Sequence, residues 1–288
     1  MNRGLRTWGR VAGGVATLAF LVWRLGAGPF LDGIRAVDAQ ALMAAVGLAV
    51  LTTVCCAWRW RLVARGLGVG LSLPAAVAAY YRSLFLNVTL PGGIVGDVHR
   101  AVSHGRDVSD VGRALRAVAW ERFAGQVVQA VLTVAVLLTL PSPVRSSMPF
   151  VALGLAAAVL GFVLVARARA GHRRLLASRA WLGVALASVL VVAGHAATFL
   201  IAARTAGATA PASQMLPLAL LVMVVMVLPS VGGWGPREGA AAWAFGAAGL
   251  GAQLGVATAV VYGVMVLAAS LPGAIILVLS WSRRPANA

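Results

Sequence analysis

Six runs of apolar residues, at 11–27, 39–57, 119–140, 149–166, 181–203 and 255–281, are each long enough to cross the roughly 30 Å hydrocarbon core of a bilayer. Few architectures tolerate six such runs, because each must be buried in lipid or against its neighbours. With 61% hydrophobic and 11% charged residues and a mean hydropathy of +0.91, the chain reads as a polytopic membrane protein, not a soluble domain. In lipid every backbone amide and carbonyl must bond internally, so the runs are predicted to be helices. The expected fold is all-α: one transmembrane domain over 1–288 with about six transmembrane helices.

Two further apolar segments, 74–90 and 212–230, run into proline-glycine breaks. The first break reads Leu90-Pro91-Gly92-Gly93-Ile94-Val95-Gly96-Asp97, with Arg100 following. The second reads Leu228-Pro229-Ser230-Val231-Gly232-Gly233-Trp234-Gly235-Pro236-Arg237-Glu238. A break at membrane depth leaves backbone groups unpaired unless protein or a watery cavity surrounds it, so the breaks point to where the chain works. Residues 97–116 carry Asp97, Arg100, Arg106, Asp107, Asp110, Arg113 and Arg116 and cannot cross a bilayer. Segment 74–90 is therefore predicted to enter and return as a re-entrant helical hairpin. The second break forms either a second re-entrant hairpin or two full spans at 212–231 and 239–258, which would make eight spans in all.

All 24 basic residues are arginine, and seventeen of them fall on one side of this topology. Only Arg35, Arg145 and Arg204 fall on the other, and that asymmetry puts both termini in the cytoplasm of a multi-pass plasma membrane protein. Trp58, Trp60, Trp120, Trp181 and Trp281 lie at the cytoplasmic ends of spans, as an interfacial belt would. With this orientation, 1–144 and 145–288 trace the same path with opposite sense, an inverted-topology repeat of the kind transporters use. The net charge of +17 has no basic soluble domain to use it, so no nucleic acid is expected as a partner. The first apolar run reads as a retained helix, not a cleaved signal.

The candidate binding residues cluster at the breaks. Asn87, Pro91, Gly92 and Gly93 belong to the first, where a restarting helix would point its amides, and the positive end of its dipole, at an anion. Arg82 on the entering arm would add a full charge. Asp97 and Arg100 either serve that site or form an i,i+3 surface pair. At the second break Gly232 and Gly233 play the equivalent backbone role. Arg237 and Glu238 are adjacent, and adjacent helical side chains diverge, so direct mutual neutralisation is not expected; Glu238 pairing with Arg82 or Arg122 is the structural alternative. Glu121 and Arg122 begin the third span and either snorkel or line a cavity mouth. A lipid phosphate is the anion expected at that depth, so the partners are membrane lipids with an anionic or phosphate headgroup.

His195 reads as a hydrogen-bonded packing residue, while His99, His104 and His172 show no metal-ligand spacing. Cys55 and Cys56 read as small buried residues, and Arg24 as a snorkelling one. The sequence has no P-loop, zinc motif or nucleophile elbow, so no cofactor and no enzymatic activity is expected.

The two breaks, with Glu121-Arg122, make the chain resemble the lysylphosphatidylglycerol synthase transmembrane family over about Ala39 to Arg284. The family's first break is similar to Leu90-Pro91-Gly92-Gly93 with Gly96-Asp97 and Arg100. The other break of the family is similar to Leu228-Pro229 followed by Gly232-Gly233, Gly235 and Arg237-Glu238; Pro236 departs from the pattern. In the fused members known as multiple peptide resistance factors, such a domain moves aminoacylated phosphatidylglycerol between leaflets, and a separate domain charges the lipid. The resemblance implies a bacterial flippase-like transporter of a phosphate-bearing lipid, phospho- or polyprenyl-linked, without the synthase domain. An accessory subunit of a separate lipid-modifying or glycosyl-transferring enzyme is the alternative.

Overall fold

A computed structural model describes residues 15–90, 93–156, 180–226 and 234–282. These form α1 (Val15–Leu25), α2 (Gly28–Ala36), α3 (Ala39–Gly66), α4 (Leu73–Thr89), α5 (Val95–Asp107), α6 (Val111–Thr139), α7 (148–156 as described), α8 (Ala180–Thr205), α9 (Ala212–Val225), α10 (Pro236–Ala247) and α11 (Ala252–Ser282). The all-α expectation holds. Helices α3, α6, α8 and α11 are long and apolar enough to cross a membrane, and α1 with α2 makes a fifth candidate bent by 100°. The predicted span at 149–166 is described only to residue 156, and its remainder lies outside the described residues.

Local chemistry sets where these helices begin. Asp38 accepts a hydrogen bond from the Ala41 amide at 2.7 Å and starts α3, and Asp110 does the same for Arg113 at 2.8 Å and starts α6. Ser72 caps α4, with Pro74 in its first turn, where a missing amide costs nothing.

Both apolar segments that run into breaks are short helices that turn back. Helix α5 folds along α4, bringing Gly96 to Asn87, Asp97 to Ser83 and Arg100 to Tyr80. Helix α10 folds along α9, with Gln214 Nε2 donating to the Ala248 carbonyl at 3.5 Å and Leu218 sharing one core with Phe245. At 14 and 12 residues α9 and α10 fall short of the roughly 20 that a full crossing needs, so the hairpin describes this region and the eight-span alternative does not. The first hairpin closes tightly: a Cβ on Gly96 would lie 2.1 Å from the Ser83 carbonyl oxygen. Gly96→Ala is accordingly expected to cost about 1–3 kcal/mol by forcing the two helices apart. A lowered thermal unfolding midpoint in detergent, with Gly47→Ala as a control in open space, checks it.

Helix contacts come in matching couples. Helix α3 lies along α8; α4 packs on α11 as α9 packs on α6; α5 packs on α6 as α10 packs on α11; and α3 meets α11 as α8 meets α6. Small residues carry these approaches, as usual where lipid removes the hydrophobic drive between helices. A Cβ on Gly194 would meet the Thr52 methyl at 2.3 Å, so α3 and α8 touch nearly backbone to side chain there. One core gathers Phe199, Met215, Leu218, Phe245 and Tyr262 from α8–α11, and a second gathers Ala57, Trp60, Tyr80, Ala101 and Ala117 from α3–α6. Trp60, expected in an interfacial belt, is fully buried in the second core. Helix packing outcompetes the interface for it because its ring lies against Tyr80, His104 and the Arg100 guanidinium.

Candidate functional site

Five charged side chains from three helices converge at the first hairpin. Glu121 of α6 is fully buried and accepts at Oε1 from Arg59 Nε (2.8 Å) and from the Tyr80 hydroxyl (2.7 Å). Its Oε2 accepts from Arg100 Nη2 at 2.7 Å. Arg100 reaches back to Asp97 through Nε at 3.0 Å. Asp97 also accepts from Arg122, from Ser83 Oγ at 3.3 Å and from Asn87 Nδ2 at 3.2 Å. Three arginines and two carboxylates leave one excess positive charge in a largely buried network. Burial alone would push the Asp97 carboxyl up, but Arg122 and then Arg100 outweigh it and hold it below the usual carboxylate range. Asp97 thus stays ionised at neutral pH. Its ion pairs stabilise the fold fully above the ordinary carboxylate value and weaken only as pH falls through the lower folded value.

Arg122 differs from its neighbours. Its side chain is 44% exposed, whereas those of Arg59, Arg100 and Glu121 are at most 7% exposed. It opens on a cavity of about 650 Å³ lined by Asp97, Gln126, Gln129, His195, Met223 and Tyr262 among others. The cavity lies where α5 and α6 meet α8, the end of α9, and α11, so both halves of the sequence line it. His195 Nδ1 pairs with the Tyr262 hydroxyl at 3.2 Å, so this histidine is hydrogen-bonded as expected but also faces the cavity. Arg122, Gln126 and Gln129 repeat at i, i+4 and i+7 on α6, a polar stripe visible in the sequence that sequence reasoning passed over.

The expected site residues are partly regrouped. Asp97, Arg122 and Gly93, which has a φ of 65°, line the cavity. Asn87 sits behind it: Asn87 Oδ1 accepts from the Gly96 amide at 2.8 Å, so the first turn of α5 is already occupied by a side chain and by the carboxylate of Asp97. Asp97 and Arg100 are an i,i+3 pair but a buried one, not a surface pair. Glu121 does not snorkel; it anchors the network. Arg59, one of the seventeen arginines expected on the cytoplasmic side, lies inside α3 and is 6% exposed. Arg82 faces a different pocket, between α4 and α5. Pro91, Gly92, Gly232 and Gly233 lie outside the described residues.

At the second break the expectation that Arg237 and Glu238 diverge is overturned. Arg237 Nε donates to Glu238 Oε1 at 2.9 Å, and both residues are at most 2% exposed. Glu238 Oε2 accepts from the Gly235 amide at 2.7 Å, closing the start of α10. That bond turns the Glu238 carboxylate back over the first turn, where the long Arg237 side chain reaches it despite their adjacency. Arg237 also stacks 4.8 Å from the Trp234 ring centroid and abuts Gly263, where a Cβ would clash at 2.3 Å. Glu238 therefore pairs with neither Arg82 nor Arg122. Both hairpins place a carboxylate, Asp97 or Glu238, at the third position of the returning helix. No group of residues that could hold a metal ion occurs among the described residues.

No curated protein matches this chain. The family described as the lysylphosphatidylglycerol synthase TM region matches residues 8–273, nearly the whole 288-residue sequence. It is a family of membrane domains of lipid-related proteins. Both hairpins, the buried network and the shared cavity lie inside that match, and the chain belongs to the lysylphosphatidylglycerol synthase transmembrane family.

Proposed function

We propose that this protein moves a phosphate-bearing lipid between the leaflets of a bacterial plasma membrane, with the headgroup in the Arg122 cavity. The observation that carries the reading is a half-exposed guanidinium, tied on one side to Asp97, opening on about 650 Å³ lined by both halves of the chain. Arg122 offers its remaining donors to a phosphate, Gln126 and Gln129 extend the polar track along α6, and Ile94, Leu115 and Met226 supply apolar wall for the lipid stem.

The matched helix couples support two inverted halves, 1–144 and 145–288. Halves related in this way can rock about a central site, exposing it to one leaflet and then the other. The two hairpins then enter from opposite faces, and the arginine asymmetry supports cytoplasmic termini. The net charge of +17 would draw anionic lipid toward that leaflet. Glu238, neutralised by Arg237 and tied to Gly235, acts as a fixed hairpin lock, not a headgroup ligand.

Ala119 is exposed on the cavity wall, so Ala119→Trp fills the cavity without disturbing a packed core. In proteoliposomes, fluorescent phospholipid accessible to external reductant is expected to report translocation by the unaltered protein. The Ala119→Trp protein is expected to lose at least tenfold in rate. Equal rates from the two would put the lipid path elsewhere.

A further inference from the structure

A second pocket, of about 260 Å³, lies between α4 and the far end of α5 and shares no lining residue with the Arg122 cavity. Four buried donors of its lining residues have no hydrogen-bond partner among the described residues: Trp60 Nε1, Arg82 Nε, Arg100 Nη1 and His104 Nε2, the last donating in the tautomer that protonates it. Arg100, His104 and Trp60 are each at most 6% exposed. Buried donors are almost always satisfied, because an orphan forfeits its bonds to water without replacement. An acceptor placed in the pocket would lie beside all four of these residues.

The surrounding charge says what the acceptor is. Arg82 and Arg100 are cations, and Ser72 with Ala75 brings the N-terminal turn of the 17-residue α4, with its positive dipole end, to the same pocket. Arg100 gives two of its nitrogens to Asp97 and Glu121 and so is held rigidly, leaving Nη1 over. The opposing features are Asp107 and the last turn of α5, both negative, and they line the pocket where it reaches the exposed surface. An anion held deep, with a positive group on its outer side, fits both ends.

We propose that this pocket is a second anion site that takes a phosphate group, alone or as part of a headgroup whose amine meets Asp107. The Arg100 side chain links it to the Asp97 of the first cavity, so the two sites sit on either side of one buried ion network. The proposal does not depend on lipid translocation.

The test is a calorimetric titration of Arg122→Gln protein, in a phosphate-free sugar detergent, with inorganic phosphate and with glycerophosphoethanolamine. Saturable binding is expected although the first cavity has lost its arginine. Adding Arg82→Gln, or filling the pocket with Ala78→Phe, is expected to weaken it at least tenfold while the thermal unfolding midpoint stays close to that of the parent. Tighter binding of the ester assigns the site to a lipid headgroup, and tighter binding of inorganic phosphate assigns it to the free ion. Binding of neither probe, or binding indifferent to both second substitutions, overturns the site. A failure of translocation to depend on Arg122 would leave it standing.

Discussion

Glu121→Gln is expected to destabilise the folded protein by about 3–5 kcal/mol, among the largest single-residue losses the chain can show. Glu121 has no solvent exposure, and its two oxygens are the shared acceptors for Arg59, Arg100 and the Tyr80 hydroxyl. An amide of the same shape carries no charge and offers one acceptor where two are used. Arg59 on α3 then loses its carboxylate partner, and Arg100 on α5 keeps only Asp97. Neither can reach water, since their side chains are 7% and 0% exposed. Breaking a buried pair costs far more than the pair's net contribution, because the remaining charge is stranded. The measurement is the thermal or denaturant unfolding of purified protein in detergent, beside Arg204→Gln as an exposed-charge control. A midpoint equal to the control's would mean that the network does not hold the hairpin to α3 and α6.

On the proposed function, Arg122→Gln is expected to do the reverse: translocation falls by roughly 10–100-fold while stability changes little. The size of the activity loss follows from losing a charged hydrogen bond to phosphate, about 1.5–3 kcal/mol, at about 1.4 kcal/mol per factor of ten. The small stability effect follows from geometry. Asp97 keeps Arg100, Ser83 and Asn87 as donors, and the Arg122 guanidinium is already half in solvent, where an ion pair contributes little. Arg122→Lys is expected to recover part of the rate, since it restores the charge without the two-pronged geometry. Translocation by Arg122→Gln at the unaltered rate would remove this residue from the lipid path. The two substitutions separate adjacent residues into an anchor and a contact. Position decides this: Glu121 points into the bundle and Arg122 toward the cavity.

The helices were legible because their signal is local. Runs of apolar residues at span length, and caps such as Asp38 and Asp110, report on backbone satisfaction within one segment. The breaks were legible too, since proline and glycine act on their own backbone, and the short α9 and α10 follow from how soon the breaks arrive. The pairing of charges was not. Arg59 meets Glu121 across 62 residues and Ser188 across 129, and nothing at either end marks the partner. Just past the apolar run 39–57, Arg59 reads as a loop charge, but α3 continues to Gly66 as a packed helix and carries the guanidinium inside. The Arg237–Glu238 expectation failed for the opposite reason, too coarse a view of a local geometry. The bond from the Gly235 amide turns the carboxylate back over its own turn.

Apolar run lengths and proline-glycine breaks are enough to specify a multi-spanning helical membrane protein with two interrupted segments and ionisable residues gathered at them. Hydrophobic length and backbone hydrogen bonding in lipid permit little else. Which of those charges are structural and which face open space depends on how the helices pack. Only the packing of α3, α4, α5 and α6 buries Glu121 between two arginines, leaves Arg122 open to a cavity shared with α8 and α11, and turns Arg82 toward a separate pocket. Burial and partner distance set the energy of a charge, and both belong to the assembled bundle, not to any one segment of the chain.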